Sequence, residues 1–384
     1  MKTTPRITIV MPCLNEAETL EICIKKARHF FAAEKIIGEI IVADNGSTDG
    51  SQEIAERAGA RVIHVSQKGY GSALMGGFEA AQSDYIIMGD ADDSYDFSNL
   101  QDFINTLDEG CDLVMGNRFK GGIMRGAMPF LHRYLGNPVL SGIARLFFKS
   151  DIGDFHCGLR AFRKDAILKL NLQTTGMEFA SEMIVKATMR GLKIKEVATI
   201  LYPDGRTRPP HLRTWTDGWR HLRFLLLYSP RWLFFYPGIV LTVLGILLSA
   251  FLLGGPRHIG RITLDINTLM YAAFLIILGV QAVLFSLFTY VFGVNANLLP
   301  KDDLTDKFVK NIGLEKGIVI SLGMILLGFV SSVGALIYWG ENLFGNIDPT
   351  FSMRLVIPGA VLFTLGFQTF FASFFLSILN TRLK

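Results

Sequence analysis

Tyr85-Ile86-Ile87-Met88-Gly89-Asp90-Ala91-Asp92-Asp93-Ser94 decides how this chain is read. Its first four residues form a short apolar run of the kind that makes a buried strand. The run hands over directly to three carboxylates. Ligands of open α/β sheets bind beyond the carboxyl ends of the strands, so the position suits a site. Asp90 and Asp92 flank the small Ala91, which lets a ligand come close to the backbone. Such a pair suits a hard divalent cation shared with substrate phosphates. A surface turn whose Asp residues cap the next helix is the plainer alternative. The place after a buried strand, and the loops around it, favour the site.

Residues 6–11, 39–43, 61–65, 112–116 and 193–201 read as further strands. Their alternation with helical stretches predicts a mainly parallel sheet with helices on both faces. Asn15, with Glu18 three residues on, forms a capping box for the first helix. Asp44, just past the second strand, is placed to accept hydrogen bonds from a ribose or base edge, and Asp49 to cap the next helix. Residues 67–77 carry glycines that permit close backbone approach, and Lys68 is placed to meet a phosphate. The Gly-Lys-Ser/Thr of a Walker A loop is absent. Residues 154–162 are a polar and aromatic stretch before another helix. Glu178 and Glu182 share a helix face, for which a salt-bridged face is the plainer reading than a substrate contact. A lone His156 is read as structural.

Half of the 384 residues are hydrophobic, and they are unevenly spread. No Asp, Glu, Lys or Arg occurs between Arg231 and Arg257, nor in residues 266–300, 317–340 and 355–381. Each gap holds an apolar run long enough for a transmembrane helix, which needs about 20 residues. Arg206, Arg208, Arg213, Arg220, Arg223 and Arg231 precede the first span, Lys301, Lys307, Lys310 and Lys316 separate the second and third, and Arg382 and Lys384 end the chain. The other two connections hold only Arg257 and Arg261, and Arg354. The positive-inside rule then puts both termini and the N-terminal domain in the cytoplasm, and the N-terminus shows no signal-peptide core.

The net charge of +4 gathers beside the membrane, which favours anionic headgroups or phosphorylated lipids over nucleic acid. Four cysteines without CxxC spacing predict reduced thiols and no zinc. In residues 124–148, Arg125, His132, Arg133 and Arg145 interleave with apolar side chains, and Pro129 and Pro138 break the run into short helices. That composition suits the membrane interface, with an amphipathic helix against the sheet as the alternative. Residues 214–232 read as an amphipathic interface helix anchored by Trp215, Trp219 and Trp232. The expected division is a cytoplasmic domain over 1–212, the interface helix over 213–232 and a four-helix membrane domain over 233–384.

Pro12-Cys13-Leu14-Asn15-Glu16, Asp44-Asn45-Gly46-Ser47-Thr48-Asp49-Gly50, Asp90-Ala91-Asp92, Gly116-Asn117-Arg118 and Gly158-Leu159-Arg160 together resemble family 2 glycosyltransferases. The nearer likeness is to the branch that acts on polyprenyl phosphates, dolichol-phosphate mannosyltransferase-like and bacterial polyprenyl-phosphate glucosyltransferase-like. It covers roughly residues 6 to 232. The resemblance implies a GT-A-type (Rossmann-like) α/β domain with interface helices, here followed by four transmembrane helices. It implies that Pro12, Leu14, Glu16 and Asp44 contact the nucleotide, and that Asp90 and Asp92, around Ala91, hold the donor diphosphate through Mg²⁺ or Mn²⁺. Arg118 and Arg133 resemble the arginines that grip the acceptor phosphate, with His132 and Asn137 nearby. Arg206 resembles a basic residue that approaches the donor diphosphate. Two departures stand out. Ser94 occupies a place where the family often has Gln, and Gly205-Arg206-Thr207-Arg208-Pro209-Pro210 replaces the common Gly-Glu-Ser-Lys.

The implied reaction is inverting transfer of a hexose from UDP- or GDP-hexose to undecaprenyl or dolichyl phosphate at the cytoplasmic membrane face. A processive polysaccharide synthase is one rival, although Tyr228-Ser229-Pro230-Arg231-Trp232 lacks the Gln of the Gln-x-x-Arg-Trp such enzymes carry. A synthase whose membrane half also flips the product is another. Gln281 and Gln368 are the few polar candidates for that, and simple anchoring or oligomerisation is the expectation preferred over it.

Overall fold

The computed structural model describes residues 4–207 and 214–381. The expectations that rest on Arg208, Pro209, Pro210, Arg213, Arg382 and Lys384 lie outside the described residues. The chain divides into two compact units, residues 1–225 and 226–384.

In the first unit, seven strands form one sheet: β1 (Ile7–Cys13), β2 (Gly38–Asp44), β3 (Arg61–His64), β4 (Tyr85–Met88), β5 (Leu113–Asn117), β6 (Arg160–Arg163) and β7 (Ile194–Ala198). Their order is β3-β2-β1-β4-β6-β5-β7. Ile7, Ile9, Val10 and Met11 are fully buried although they point to opposite faces, as expected of a strand covered by helices on both sides. The chain steps outward from β1 to β2 and β3, then returns to β4 on the other flank of β1. Strand order therefore reverses between β1 and β4, which opens a crevice at their carboxyl ends.

β6 was not anticipated, and it runs antiparallel to both β4 and β5. It starts on Arg160, the largest fully buried side chain of the protein. Nothing in its composition marks it as a central strand. Arg160 survives burial by donating to the carbonyls of Cys157 (2.9 Å), Ala180 (2.8 Å) and Phe155 (3.1 Å). Three acceptors on a planar fork satisfy a charge that would otherwise be costly to bury.

Helices α1 (Leu20–Ala33), α2 (Ser51–Arg57), α3 (Tyr70–Ala80), α4 (Gln101–Asp108), α5 (Arg118–Gly121), α6 (Asn137–Phe148), α7 (Lys164–Leu168), α8 (Phe179–Met189) and α9 (Thr214–Leu227) connect the strands and follow them. The first helix corrects the capping-box expectation. Its N-cap is Thr19, and Asn15 lies in the left-handed region at φ 59° with its side chain turned to another loop. The glycines of α3 serve packing: a Cβ at Gly77 would lie 2.4 Å from Val10, so the helix sits directly on β1. A π turn at His132–Gly136 runs into α6, and Phe130, Tyr134, Leu135, Val139 and Leu146 there are exposed. On α9, Trp215 and Trp219 are exposed as well.

The second unit carries four helices long and apolar enough to span a membrane. The first runs over Arg231–Leu253, a π turn followed by α10 (Tyr236–Leu253). The others are α11 (Ile266–Asn295), α13 (Leu314–Glu341) and α14 (Pro349–Asn380). Small residues bring these backbones together, as lipid-embedded helices require. A Cβ at Gly245 would lie 2.7 Å from the Ala272 carbonyl, and one at Gly328 2.7 Å from that of Gly359. Two connections are ordered beyond expectation: a hairpin of β8 (Arg257–Ile259) and β9 (Ile262–Leu264), and a short helix α12 (Asp303–Ile312). Arg231 pairs with Asp302, the N-cap of α12. Arg354 pairs with Asp265 and also donates to the carbonyls of Thr350 (2.8 Å) and Leu252 (3.3 Å). The charge at the start of α14 thus fastens the ends of α10 and α11.

Glu182 tests the energetics of the first unit. Fully buried, it pairs with Lys186 at 2.7 Å and accepts from the Gln173 and Thr174 N–H groups at 2.8–3.0 Å. Its role is structural, as the plainer reading had it, although the face is buried instead of solvated. Glu182→Ala strands a buried ammonium and should cost about 3–5 kcal/mol. All four cysteines are buried in the first unit, so thiol labelling during urea unfolding in detergent reads that unit alone. Labelling at unchanged denaturant concentration would refute the assignment.

Candidate active site

Loops from several strands meet at the carboxyl edge of the sheet. The N–H groups of Asn15 and Glu16 donate to Ser47 Oγ and Ser51 Oγ, both at 2.9 Å. Ala17 N–H donates to Asp49 at 3.0 Å, and Thr48 N–H to Asn15 Oδ1 at 2.8 Å. These bonds join the loops after β1 and β2 into one floor. Asp49 also accepts from Ser51 N–H at the start of α2. Thr19 Oγ1 donates to the Ala91 carbonyl at 2.6 Å, and Gly205 N–H to the Asp92 carbonyl at 3.0 Å. The carboxylate turn is therefore held from both sides.

Asp90 and Asp92 stand on that turn at the switch point between β1 and β4. Tyr70 donates its hydroxyl to Asp90 Oδ1 at 2.9 Å. Ser94 donates through N–H (3.1 Å) and Oγ (2.6 Å) to Asp92 Oδ1. Asp92 Oδ2 accepts from Arg206 Nη2 at 2.8 Å, while Nη1 reaches Glu16 Oε1 at 3.2 Å. Asp204 accepts from the same guanidinium at 2.9 Å. Burial, and then the neighbouring Asp92 charge, push the Asp90 carboxyl up to about 6 despite the Tyr70 bond and the Arg206 charge. Gly158 backs the pair: a Cβ there would lie 2.4 Å from Asp90 Oδ2. Its N–H donates to Tyr95 Oη at 2.9 Å.

A buried carboxyl raised by its own burial and by the charge of the carboxylate beside it makes a site that seeks a cation. Among the described residues no cluster of three or more His, Cys, Asp or Glu could enclose a metal. The donor set therefore fits a hard cation that takes its remaining oxygens from a substrate, and not an all-protein cage. Ser94, at the place where the family often has Gln, is engaged with Asp92.

The other expected residues fall into three groups. Pro12 pairs with Ala43 next to last in the β1 register, Leu14 and Glu16 belong to the stitched floor, and Ala91 is buried on the carboxylate turn. Lys68 donates to the Asn45 carbonyl at 2.6 Å, over the same floor. Asp44 is buried and is anchored in its own loop, accepting from Gly46 N–H (3.0 Å), Ser47 N–H (3.2 Å) and Gln52 (2.7 Å). Burial raises its pKa, but those bonds win and hold it below the ordinary value.

Arg118 is anchored inside the domain. Its Nε (2.7 Å) and Nη2 (2.8 Å) grip the buried Asp154, and its own N–H donates to the same carboxylate. Those side-chain bonds engage two of the five guanidinium N–H donors and fix where the fork lies. Arg133, on the π turn, has no carboxylate partner among the described residues and lies 5.5 Å from the Tyr134 ring. His132 touches Thr214 Oγ1 at 3.0 Å, and burial and then Arg118 lower its pKa. Asn137 approaches Met128 Sδ at 3.5 Å. No hydrogen bond links these three to Asp90 or Asp92 among the described residues.

Residues without an expected role hold the site together. Glu196 of β7 accepts from Asn117, Gly153 N–H and Asp154 N–H at 2.7–3.1 Å, and pairs with Lys120 at 2.7 Å. It and Asp154 hold the 153–158 loop against β5. The polar run from Asp154 to Arg160 was the visible trace of this network, but partners 36 to 79 residues apart leave no spacing to read.

Comparison with known proteins bears on these observations. Residues 8–170 match "Glycosyl transferase family 2", and residues 287–380 match "Glycosyltransferase family 2 C-terminal transmembrane region". The low-salt glycan biosynthesis hexosyltransferase Agl6 of Haloferax volcanii is 37% identical over 381 residues, covering 98% of this chain and 89% of that protein. The dolichyl-phosphate hexose transferase of the same organism is 32% identical over 160 residues, 41% of this chain and 67% of that one. Among solved structures, glucosyl-3-phosphoglycerate synthase from Mycobacterium tuberculosis with Mn²⁺, uridine-diphosphate and phosphoglyceric acid superposes with a TM-score of 0.45 at 20% identity, over 58% of this chain and 76% of that one.

The raised Asp90 carboxyl has a consequence for stability. The folded state binds its proton below about pH 6, the unfolded state only near the ordinary 3.8. Stability tied to this group is therefore gained as pH falls from above 6 towards 4, and lost as it rises again. Asp90→Asn should be more stable than the parent at pH 7, with the gap closing by pH 4, in the same thiol-labelling assay. A variant less stable at pH 7 would show that the charge is not strained.

Proposed function

The chain belongs to glycosyltransferase family 2, and from that premise we propose that it transfers a hexose from a nucleotide-sugar to a polyprenyl phosphate at the cytoplasmic membrane face. The carrying observation is the cation-seeking pair Asp90 and Asp92 at the β1/β4 switch point, roofed by Arg206. Similarity to a hexosyltransferase and to a dolichyl-phosphate hexose transferase supports the sugar and the lipid acceptor. Four apolar spans and a matching C-terminal membrane region support a lipid substrate. The loop charges favour a cytoplasmic site.

Asp90 and Asp92 would hold Mg²⁺ or Mn²⁺, which when bound neutralises charge on a departing diphosphate. Every other task falls to the chain. The floor made by residues 12–17 and 44–51, with Lys68 above it, receives the nucleotide. Arg206 serves as the resting counter-charge of Asp92 and Glu16, then turns to the donor diphosphate as that site fills. Arg133 takes the acceptor phosphate, with His132 and Asn137 beside it. Arg118, held in place by Asp154, serves with Arg133 as an acceptor-phosphate arginine.

The nucleophile needs no general base, because a phosphate monoester with a second pKa of about 6 is already anionic at neutral pH. Aligning two repelling anions is the work that remains. A single displacement inverts the anomeric centre, so an α-linked donor yields a β-linked product.

The test is transfer of label from a panel of UDP- and GDP-hexoses into the organic phase by purified protein with polyprenyl phosphate and Mg²⁺ or Mn²⁺. Asp92→Asn should lower turnover at least about a hundredfold, the scale of losing a principal electrostatic contact. Arg133→Ala should raise the KM for polyprenyl phosphate more than it lowers kcat. Label in insoluble polymer, or an active Asp92→Asn enzyme, would overturn the reading.

A further inference from the structure

Polar side chains within the apolar spans are scarce, and two of them meet. Gln281 lies midway along α11, and Gln368 at the centre of the charge-free stretch 355–381 that forms most of α14. They line one groove of about 470 Å³ together with Phe288, Phe371, Phe375 and Ile378. Phe288 and Phe375 stand edge to face there, 4.8 Å apart. Every apolar lining residue follows the glutamines in sequence, so the groove runs from mid-span towards the ends of α11 and α14 that carry Asn295 and Asn380. Gln368 Oε1 is buried and has no hydrogen-bond partner.

This arrangement reverses what a tail-binding groove needs. A lipid seated with its headgroup at the interface would bring only hydrocarbon to mid-span, and hydrocarbon offers a carbonyl oxygen nothing. Polar side chains at that depth are costly and tend to mark a substrate path. Gln368 Oε1 only accepts, so its partner must donate. An ionised phosphate has no proton to give, whereas sugar hydroxyls donate and accept. Aromatic faces beside the glutamines offer the apolar surface that the C–H faces of a sugar and an isoprenoid stem can pack against.

We propose that the α11/α14 groove is a second ligand site, which receives the hydroxyl-bearing headgroup of a lipid-linked sugar at mid-bilayer depth. The membrane half thereby carries that lipid between leaflets. The identity of the cargo rests on the reading given under Proposed function; the groove and its unsatisfied oxygen do not.

The experiment uses the full chain in proteoliposomes loaded with pre-made polyprenyl-phospho-hexose labelled in the sugar, so that translocation does not depend on the chain's own catalysis. External periodate, which cleaves exposed vicinal diols, reads sidedness. In protein-free vesicles about half the label should stay protected, because a sugar headgroup finds no partners in hydrocarbon. With the parent protein nearly all of it should become accessible. Gln368→Leu, and Gln281→Leu with Gln368→Leu, should slow this at least about tenfold, the scale of one intramembrane hydrogen bond. Hexose transfer by the same preparations should be unchanged, which also certifies folding. Protection persisting with the parent protein, or equal rates in the variants, would each overturn the proposal. Loss of transfer with translocation intact would instead count against the catalytic reading alone.

Discussion

Two carboxylates held close in a part-buried crevice repel each other, and the first unit is built around tolerating that repulsion. The fold places Asp90 at the one edge where strand order reverses, so helices cannot cover it. Gly158 then lets the backbone of the antiparallel β6 connection come up behind it. Tyr70 and Ser94 give each carboxylate a hydroxyl, and Arg206 supplies the one full positive charge in direct contact among the described residues. The strain is the functional asset. A site already neutral would have no appetite for a cation and a diphosphate.

The same logic explains the surrounding charges. Arg118, Arg160 and Lys186 are all buried, and each is satisfied by the protein: Arg118 by Asp154, Lys186 by Glu182, Arg160 by three carbonyls. They fix the loops after β5 and before β6, and the α8 end. Arg206 differs, because its partners Glu16, Asp92 and Asp204 come from three separate loops and it sits at the open edge. A cation shared among three loops can be traded for another cation without unfolding any one of them. That distinction sets Arg206 apart from the buried cations that hold the loops in place.

Much of this was legible in the sequence where chemistry and periodicity coincide. The apolar runs before Asp44 and Asp90 are strands because both faces are buried, and the charge-free stretches are spans because nothing else needs 20 such residues. What escaped was decided by distant partners. Asn15 has the spacing of a cap, yet Thr48 and the Ser47 loop claim it, and Thr19 caps α1 instead. Arg118 gives no hint in the sequence that Asp154, 36 residues on, holds it in place. β6 was hidden because a strand that begins with a buried arginine carries no apolar alternation. The hairpin at 257–264 and α12 were lost among short polar connections.

The membrane half shows that packing and chemistry make separate demands on the same helices. Glycines at the α10/α11 and α13/α14 contacts bring backbones within van der Waals distance and leave no room for a ligand. Had anchoring been the sole requirement, the α11/α14 contact could have been closed in the same way. It instead keeps a groove lined by large aromatic side chains beside two glutamines, one of them with an unsatisfied oxygen. A leucine at either position would remove a polar group from hydrocarbon and fill space. Retaining an amide there carries a free-energy cost that lipid contact does not return, so the groove is better understood through what it could hold than through how it holds the helices together.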